Sequence, residues 1–199
     1  MARSMPAWDE GDYQPIRSTL ARSVDRLAQA GADFFVCPDN TAHLALEQPG
    51  ADLALPGLHI AEVVAEQAAR DGRRRVGVLG TRYTMDGPVY PAALAARGIA
   101  AEMPEPDDRA LIDKIIFDEL VNGVFTSGSR AEYVRVIAQL AGRGCDAAAL
   151  VCTEIPLLVT PEVSPVPTLD STRLLACAAF DVAVGEQAMP TWRGGPARA

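Results

Sequence analysis

Cys152 stands where a thiol could do chemistry. It closes the run Ala147–Val151, which reads as a buried strand, and is followed at once by Thr153-Glu154-Ile155-Pro156, which opens a helix. Open parallel α/β folds bind ligands at such strand ends. A helix N-terminus also lowers a thiol's pKa and makes a thiolate base available. The plainer alternative is a small buried thiol ending a core strand. The stretch has a partner elsewhere in the chain: Arg22–Asp33 (RSVDRLAQAGAD) matches Arg135–Asp146 (RVIAQLAGRGCD) at an offset of 113 residues. Carried forward without a gap, that register sets Asp39 against Cys152. Asp39 can cap the helix that follows it, which favours its ionised form, or act as an acid or base if closure over a ligand raises its pKa.

Other polar residues gather at the same kind of position. Asn40, Thr41, Thr81, Thr84 and Thr153 offer side-chain donors and backbone amides at helix starts, which suits a carboxylate ligand; each alone is also an ordinary cap. Arg82 could pair a second carboxylate or simply face solvent. Glu154 could orient its neighbours, hold an amino group, or serve only as a first-turn helix charge. His43 and His59 lack metal-site spacing and read as packed or hydrogen-bonded side chains, with a supporting role open to His43. No metal is expected. Cys37, Cys145 and Cys177 read as core thiols.

These residues need elements to hold them. Helical spacing of Ile16, Leu20, Val24 and Leu27 predicts a helix over 14–30, after a polar, irregular 1–13. Short apolar runs at 34–37, 56–59, 75–80, 99–102, 147–151 and 166–169 predict strands. Helices are expected over 60–71, 89–97, 107–121, 130–143 and 170–184. The alternation gives an α/β class with mainly parallel sheets, and the repeat implies two pseudo-symmetric lobes. The first lobe is expected over 1–72 plus 163–187, the second over 73–162, and a disordered tail over 188–199. The second lobe opens with the strand at 75–80. Its counterpart in the first would lie before Met1, so that lobe reads as N-terminally shortened, either a reduced form or one whose true start is upstream.

Composition narrows the function. With 49 % hydrophobic residues, 199 residues suffice for a packed core. A net charge of −8 argues against a nucleic-acid partner. No apolar run is long enough for a membrane span, and the N-terminus lacks a signal-peptide core. Four cysteines without CxxC spacing read as reduced thiols of a cytoplasmic protein. Lys114 is the only lysine, in an amphipathic helical pattern that favours the surface, so Schiff-base chemistry with pyridoxal has no good candidate and no cofactor is expected.

Pro38-Asp39-Asn40-Thr41-Ala42-His43 resembles the PCNTxH motif of the aspartate/glutamate racemase family. Val151-Cys152-Thr153-Glu154-Ile155-Pro156-Leu157 is similar to its GCTEIPL motif, and Val78–Met85 (VLGTRYTM) to its LGTxxTM strand tip. The resemblance spans about Trp8 to Gly185. It implies two α/β lobes, a homodimer, and cofactor-independent racemisation of an amino acid, with aspartate or glutamate as candidates. In that chemistry one group removes the Cα proton and a second returns one to the opposite face. By motif Cys152 is the second group; the first position, a cysteine in most members, is Asp39 here. Hydantoin racemases, maleate isomerases and arylmalonate decarboxylases are relatives of the family. A single-thiol decarboxylase or cis–trans isomerase of a carboxylic acid, or a degenerate binding protein, are therefore the alternatives.

Overall fold

The computed structural model describes residues 5–192. They form an α/β protein with parallel sheets, divided into two compact units: the residues up to Ile60 together with those from Leu175 on, and Ala61–Leu174. The expected lobe limits at 72 and 162 thus stand beside observed ones at 60 and 174. The strand near 166 lies in the second unit because it pairs there.

In the first unit, α1 (Met5–Glu10) and α2 (Gln14–Gln29) precede β1 (Phe35–Val36), α3 (Ala42–Leu46) and β2 (Gly57–Leu58). The first helix departs from the irregular 1–13 expected; Trp8 anchors it, buried and 5.5 Å from the Tyr13 ring. The two strands pair in parallel, Phe35 with Gly57 and Val36 with Leu58. Beneath them Val24, Ala28, Phe35, Leu46, Leu53 and Leu55 form the core, and Trp192 packs against it. Its backbone carbonyl accepts the Gly57 N–H at 3.0 Å. The tail expected to be disordered from 188 is therefore ordered at least at Trp192; residues 193–199 lie outside the described part.

Helix α4 (Ile60–Arg70) leads to the second unit: β3 (Arg75–Leu79), α5 (Arg82–Asp86), α6 (Val89–Ala95), β4 (Ala100–Glu102), α7 (Pro106–Asp118), α8 (Ser127–Gly142), β5 (Ala147–Leu150), α9 (Ile155–Leu158), β6 (Thr168–Asp170) and the start of α10 (Ser171–Ala183), whose residues from Leu175 on belong to the first unit. Its four strands run parallel in the order β4-β3-β5-β6. Strands β3 and β5 are central and almost wholly apolar, as strands covered on both faces must be. Ile112, Ile116, Tyr133, Ile137 and Leu140, from the flanking helices, fill the core.

The sequence repeat is a repeat of backbone. At the end of α2, the N–H groups of Ala30, Gly31 and Ala32 donate to the carbonyls of Arg26, Ala28 and Leu27; at the end of α8, those of Arg143, Gly144 and Cys145 donate to Gln139, Ala141 and Leu140. Each donor and acceptor keeps the 113-residue offset. Gly31 at φ 89° and Gly144 at φ 90° supply the left-handed turn that ends each helix. The copies then diverge. In the second unit, Leu140 lies on Gly77 of β3, where an added Cβ would come within 2.9 Å of its Cδ1. Its counterpart Leu27 is 44 % exposed, and no described strand of the first unit takes the place that β3 holds beside β5.

Candidate active site

In the second unit the strand ends are locked together. Leu79 pairs with Leu150, and the Val151 N–H donates to the Leu79 carbonyl at 2.8 Å. Gly80 makes this approach possible: a Cβ there would meet Val151 Cγ2 at 2.6 Å and the Val151 carbonyl oxygen at 3.0 Å. The Thr81 turn and Cys152 thereby leave adjacent central strands at the same level.

The half-buried Cys152 thiol donates to Glu154 Oε2 at 3.0 Å, and Thr153 Oγ1 donates to the same oxygen at 2.6 Å. Helix α9 is a single turn, so it adds backbone amides but little macrodipole. The polar partner set beside the sulfur is a carboxylate, which can take the thiol proton. Below, Tyr133 is fully buried, its hydroxyl 3.4 Å from the Ile112 carbonyl. Burial first, and then the acidic groups of Cys152, Asp113, Glu119 and Glu154, push the phenol well above its ordinary range, keeping it neutral.

At the end of the adjacent strand, Thr81 caps α5 by accepting the Thr84 N–H, and the Thr81 and Thr84 hydroxyls stand 3.2 Å apart, both buried. The Arg82 N–H donates to Asp113 Oδ1 at 2.7 Å, and the Arg82 guanidinium lies 3.7 Å from Asp113 Oδ2 and over the Tyr83 ring. Arg82 is thus an exposed residue already engaged with Asp113 and Tyr83. Asp113 itself had no sequence motif. Its only signal was an acid next to Ile112, Ile115 and Ile116 on the buried side of α7.

In the first unit the corresponding strand end carries Asp39, Asn40 and Thr41, the last two buried. Asp39 Oδ1 accepts the N–H of Ala42, the first residue of α3, at 3.1 Å, a capping bond made from two residues ahead of the N-cap position, which Thr41 occupies. His43 fixes the same residue from behind. Its Nε2 accepts the Ile60 N–H at 3.3 Å, so Nδ1 carries the proton and donates to the Asp39 carbonyl at 3.0 Å. His59, also buried, bonds Glu47 Oε1 at 2.8 Å through Nε2 and meets the His43 ring edge-on at 4.7 Å. Burial, and secondarily His59, lower the His43 pKa to about 3. Because the unfolded chain then binds more protons than the folded one, this group's stability is complete above pH 6.5 and is lost as pH falls toward 3. Chemical denaturation should record about 2 kcal/mol of that loss between pH 6.5 and 5, and His43→Gln should remove that part of the slope.

The other thiols differ from one another. Burial pushes Cys37 up and raises Cys145 to about 11, as for core thiols. Cys177, expected in the core, is exposed on α10. Lys114 is exposed on α7 and paired with Asp118. Among the described residues no His/Cys/Asp/Glu cluster could hold a metal, and no helix is long and apolar enough to cross a membrane.

Parallel α/β units with acid, thiol and hydroxyl side chains gathered at strand ends define a scaffold for small polar ligands. The profile of the Asp/Glu/Hydantoin racemase family matches residues 6–179, and the chain belongs to that family. A candidate Asp/Glu racemase from Yersinia pestis is 34 % identical, with a TM-score of 0.80 over 92 % of this chain and 80 % of that one. An aspartate racemase homologue from Pyrococcus horikoshii OT3 is 26 % identical, with a TM-score of 0.73 over 84 % and 74 %. The broad specificity amino-acid racemase RacX of Bacillus subtilis is 23 % identical over 83 % of this chain and 71 % of its own length.

Proposed function

We propose that this protein racemises or epimerises an amino acid, aspartate and glutamate being the first candidates, by two-base proton transfer without a cofactor. The observation that carries the reading is the Cys152 thiol, held 3.0 Å from the Glu154 carboxylate at the end of a central strand. That pair can pass the thiol proton to Glu154 and leave a thiolate. The thiolate takes the Cα proton, and the electron pair left behind spreads into the substrate carboxylate as an enolate. The Thr81, Thr84 and Thr153 hydroxyls, with Asn40 and Thr41, are suited to bind that carboxylate and stabilise its growing charge. Asp39, in the matching position of the other repeat, returns a proton to the opposite face as a carboxylic acid and removes one as a carboxylate in the reverse direction. Arg82 favours a substrate with a second carboxylate, at the expense of part of its pairing with Asp113.

Proton NMR in D2O tests the reading directly. Both enantiomers of aspartate, glutamate and several neutral amino acids are offered to the protein. The expected result is loss of the Cα signal together with appearance of the mirror-image amino acid. Binding without exchange, or exchange without inversion for every substrate, would overturn it.

A further inference from the structure

We propose that Trp192, near the end of the chain, is a positioning residue for Asp39, acting through the ring of His43. The proposal rests on the reading that Asp39 meets the substrate. Asp39 belongs to a short connection between β1 and α3; its carboxylate accepts the Ala42 N–H, and its carbonyl accepts the His43 Nδ1–H and, at 4.0 Å, the Cys37 thiol. The bond from His43 depends on ring orientation. Turned over about its Cβ–Cγ bond, the imidazole would point carbon atoms at both the Asp39 carbonyl and the Ile60 N–H.

Trp192 opposes that rotation. Its indole is stacked on the His43 ring, with centroids 5.5 Å apart and planes 15° from parallel, while His59 stands edge-on to both rings at 4.7 Å. The imidazole is therefore bounded on a face by indole and on another side by a second ring, which is itself tied to Glu47. The indole is fixed in turn. The Trp192 carbonyl accepts the Gly57 N–H at 3.0 Å, extending the sheet beyond β2, and its ring lies 6.1 Å from Phe35 in the neighbouring strand. Gly57 has to be glycine for this packing, since a Cβ would lie 2.5 Å from the Phe35 ring. A residue from the chain's last stretch thus sets the ring that sets the backbone of Asp39. Stacked aromatic pairs contribute roughly 0.5–1.5 kcal/mol beyond area, enough to bias a side-chain rotation without deciding whether the unit folds.

Three variants test this: Trp192→Ala, Trp192→Phe and a chain ending at Gln187. Two readouts are required. Long-range 15N–1H spectra identify the His43 tautomer and its protected Nδ1–H, and Cα deuterium uptake is followed from each enantiomer separately. Trp192→Ala and the shortened chain should lose the protected Nδ1–H signal. They should also lose at least tenfold in uptake from the enantiomer silenced by Asp39→Asn, in kcat with KM within about twofold, while sparing the enantiomer silenced by Cys152→Ala. Trp192→Phe should restore both readouts, which excludes general unfolding as the cause. An unchanged His43 spectrum in Trp192→Ala overturns the proposal, and so does an equal loss for both enantiomers. Failure of the underlying reading is separately visible as Asp39→Asn with undiminished turnover, and the proposal then falls with it.

Discussion

Cys152→Ala is expected to abolish racemisation and, for one enantiomer only, to abolish deuterium uptake at Cα. General acid–base groups are worth about 10²–10⁴-fold, and the proposed base is also the atom that Glu154 is arranged to deprotonate, so the upper part of that range applies. Uptake from the other enantiomer should persist, because its Cα hydrogen faces Asp39, which can remove it and return deuterium to the same side. This asymmetry has to be sought in exchange. The equilibrium constant of a racemisation is one, so kcat/KM is equal in the two directions for every variant. Folding should barely change, since Cys152 is only half-buried and its thiol bonds the side chain of nearby Glu154. Undiminished turnover in Cys152→Ala would remove the thiol from the mechanism.

Asp39→Asn should give the mirror-image phenotype, with racemisation lost by at least about 10²-fold and uptake silenced on the opposite enantiomer. Asparagine suits this test because it caps helices about as well as aspartate. Its amide oxygen can still accept the Ala42 N–H seen at 3.1 Å. The cap and the backbone bond to His43 survive, and only the ionisable proton is removed. Were Asp39 nothing more than a cap, Asp39→Asn would racemise at the wild-type rate. Asp39→Ala separates the functions from the other side, since it removes both and should also cost about 1 kcal/mol of stability.

Much of this was readable from residues alone. Alternating apolar runs and helical periods located the described strands of both units, because each is a short apolar block bounded by polar or glycine-containing turns. The repeat was legible because both glycines answer the same steric demand, a left-handed residue at a helix end. Capping by Asp39 followed from residue type. The bond from Cys152 to Glu154 did not, because side-chain direction within a one-turn helix start depends on backbone angles that spacing does not specify. Helix α1 escaped notice because one buried tryptophan, rather than a period, holds it. Trp192 escaped for a related reason: its partners His43, His59 and Phe35 are remote in sequence, and a lone tryptophan among Pro, Gly and Arg has the composition of a loose end. Asp113 looked like one more charge on an amphipathic helix until its carboxylate met the Arg82 amide.

The two identical helix-to-strand corners also bear on how such a protein can change over generations. A corner built on the same hydrogen bonds at Gly31 and at Gly144 is what copying of a gene segment leaves behind. Selection for folding acts on each copy's glycine, helix end and strand, and together these fix where the residue at the strand end will stand. They place no demand on what it is. One pole can therefore mutate from thiol to carboxyl while its twin keeps sulfur, with neither backbone disturbed. A pair descended in this way holds, at equivalent strand ends, groups whose ordinary pKa values, about 3.9 and 8.5, differ widely. The ancestral symmetry would then survive in the main chain while Cα deuterium uptake from the two enantiomers acquires separate responses to acidity.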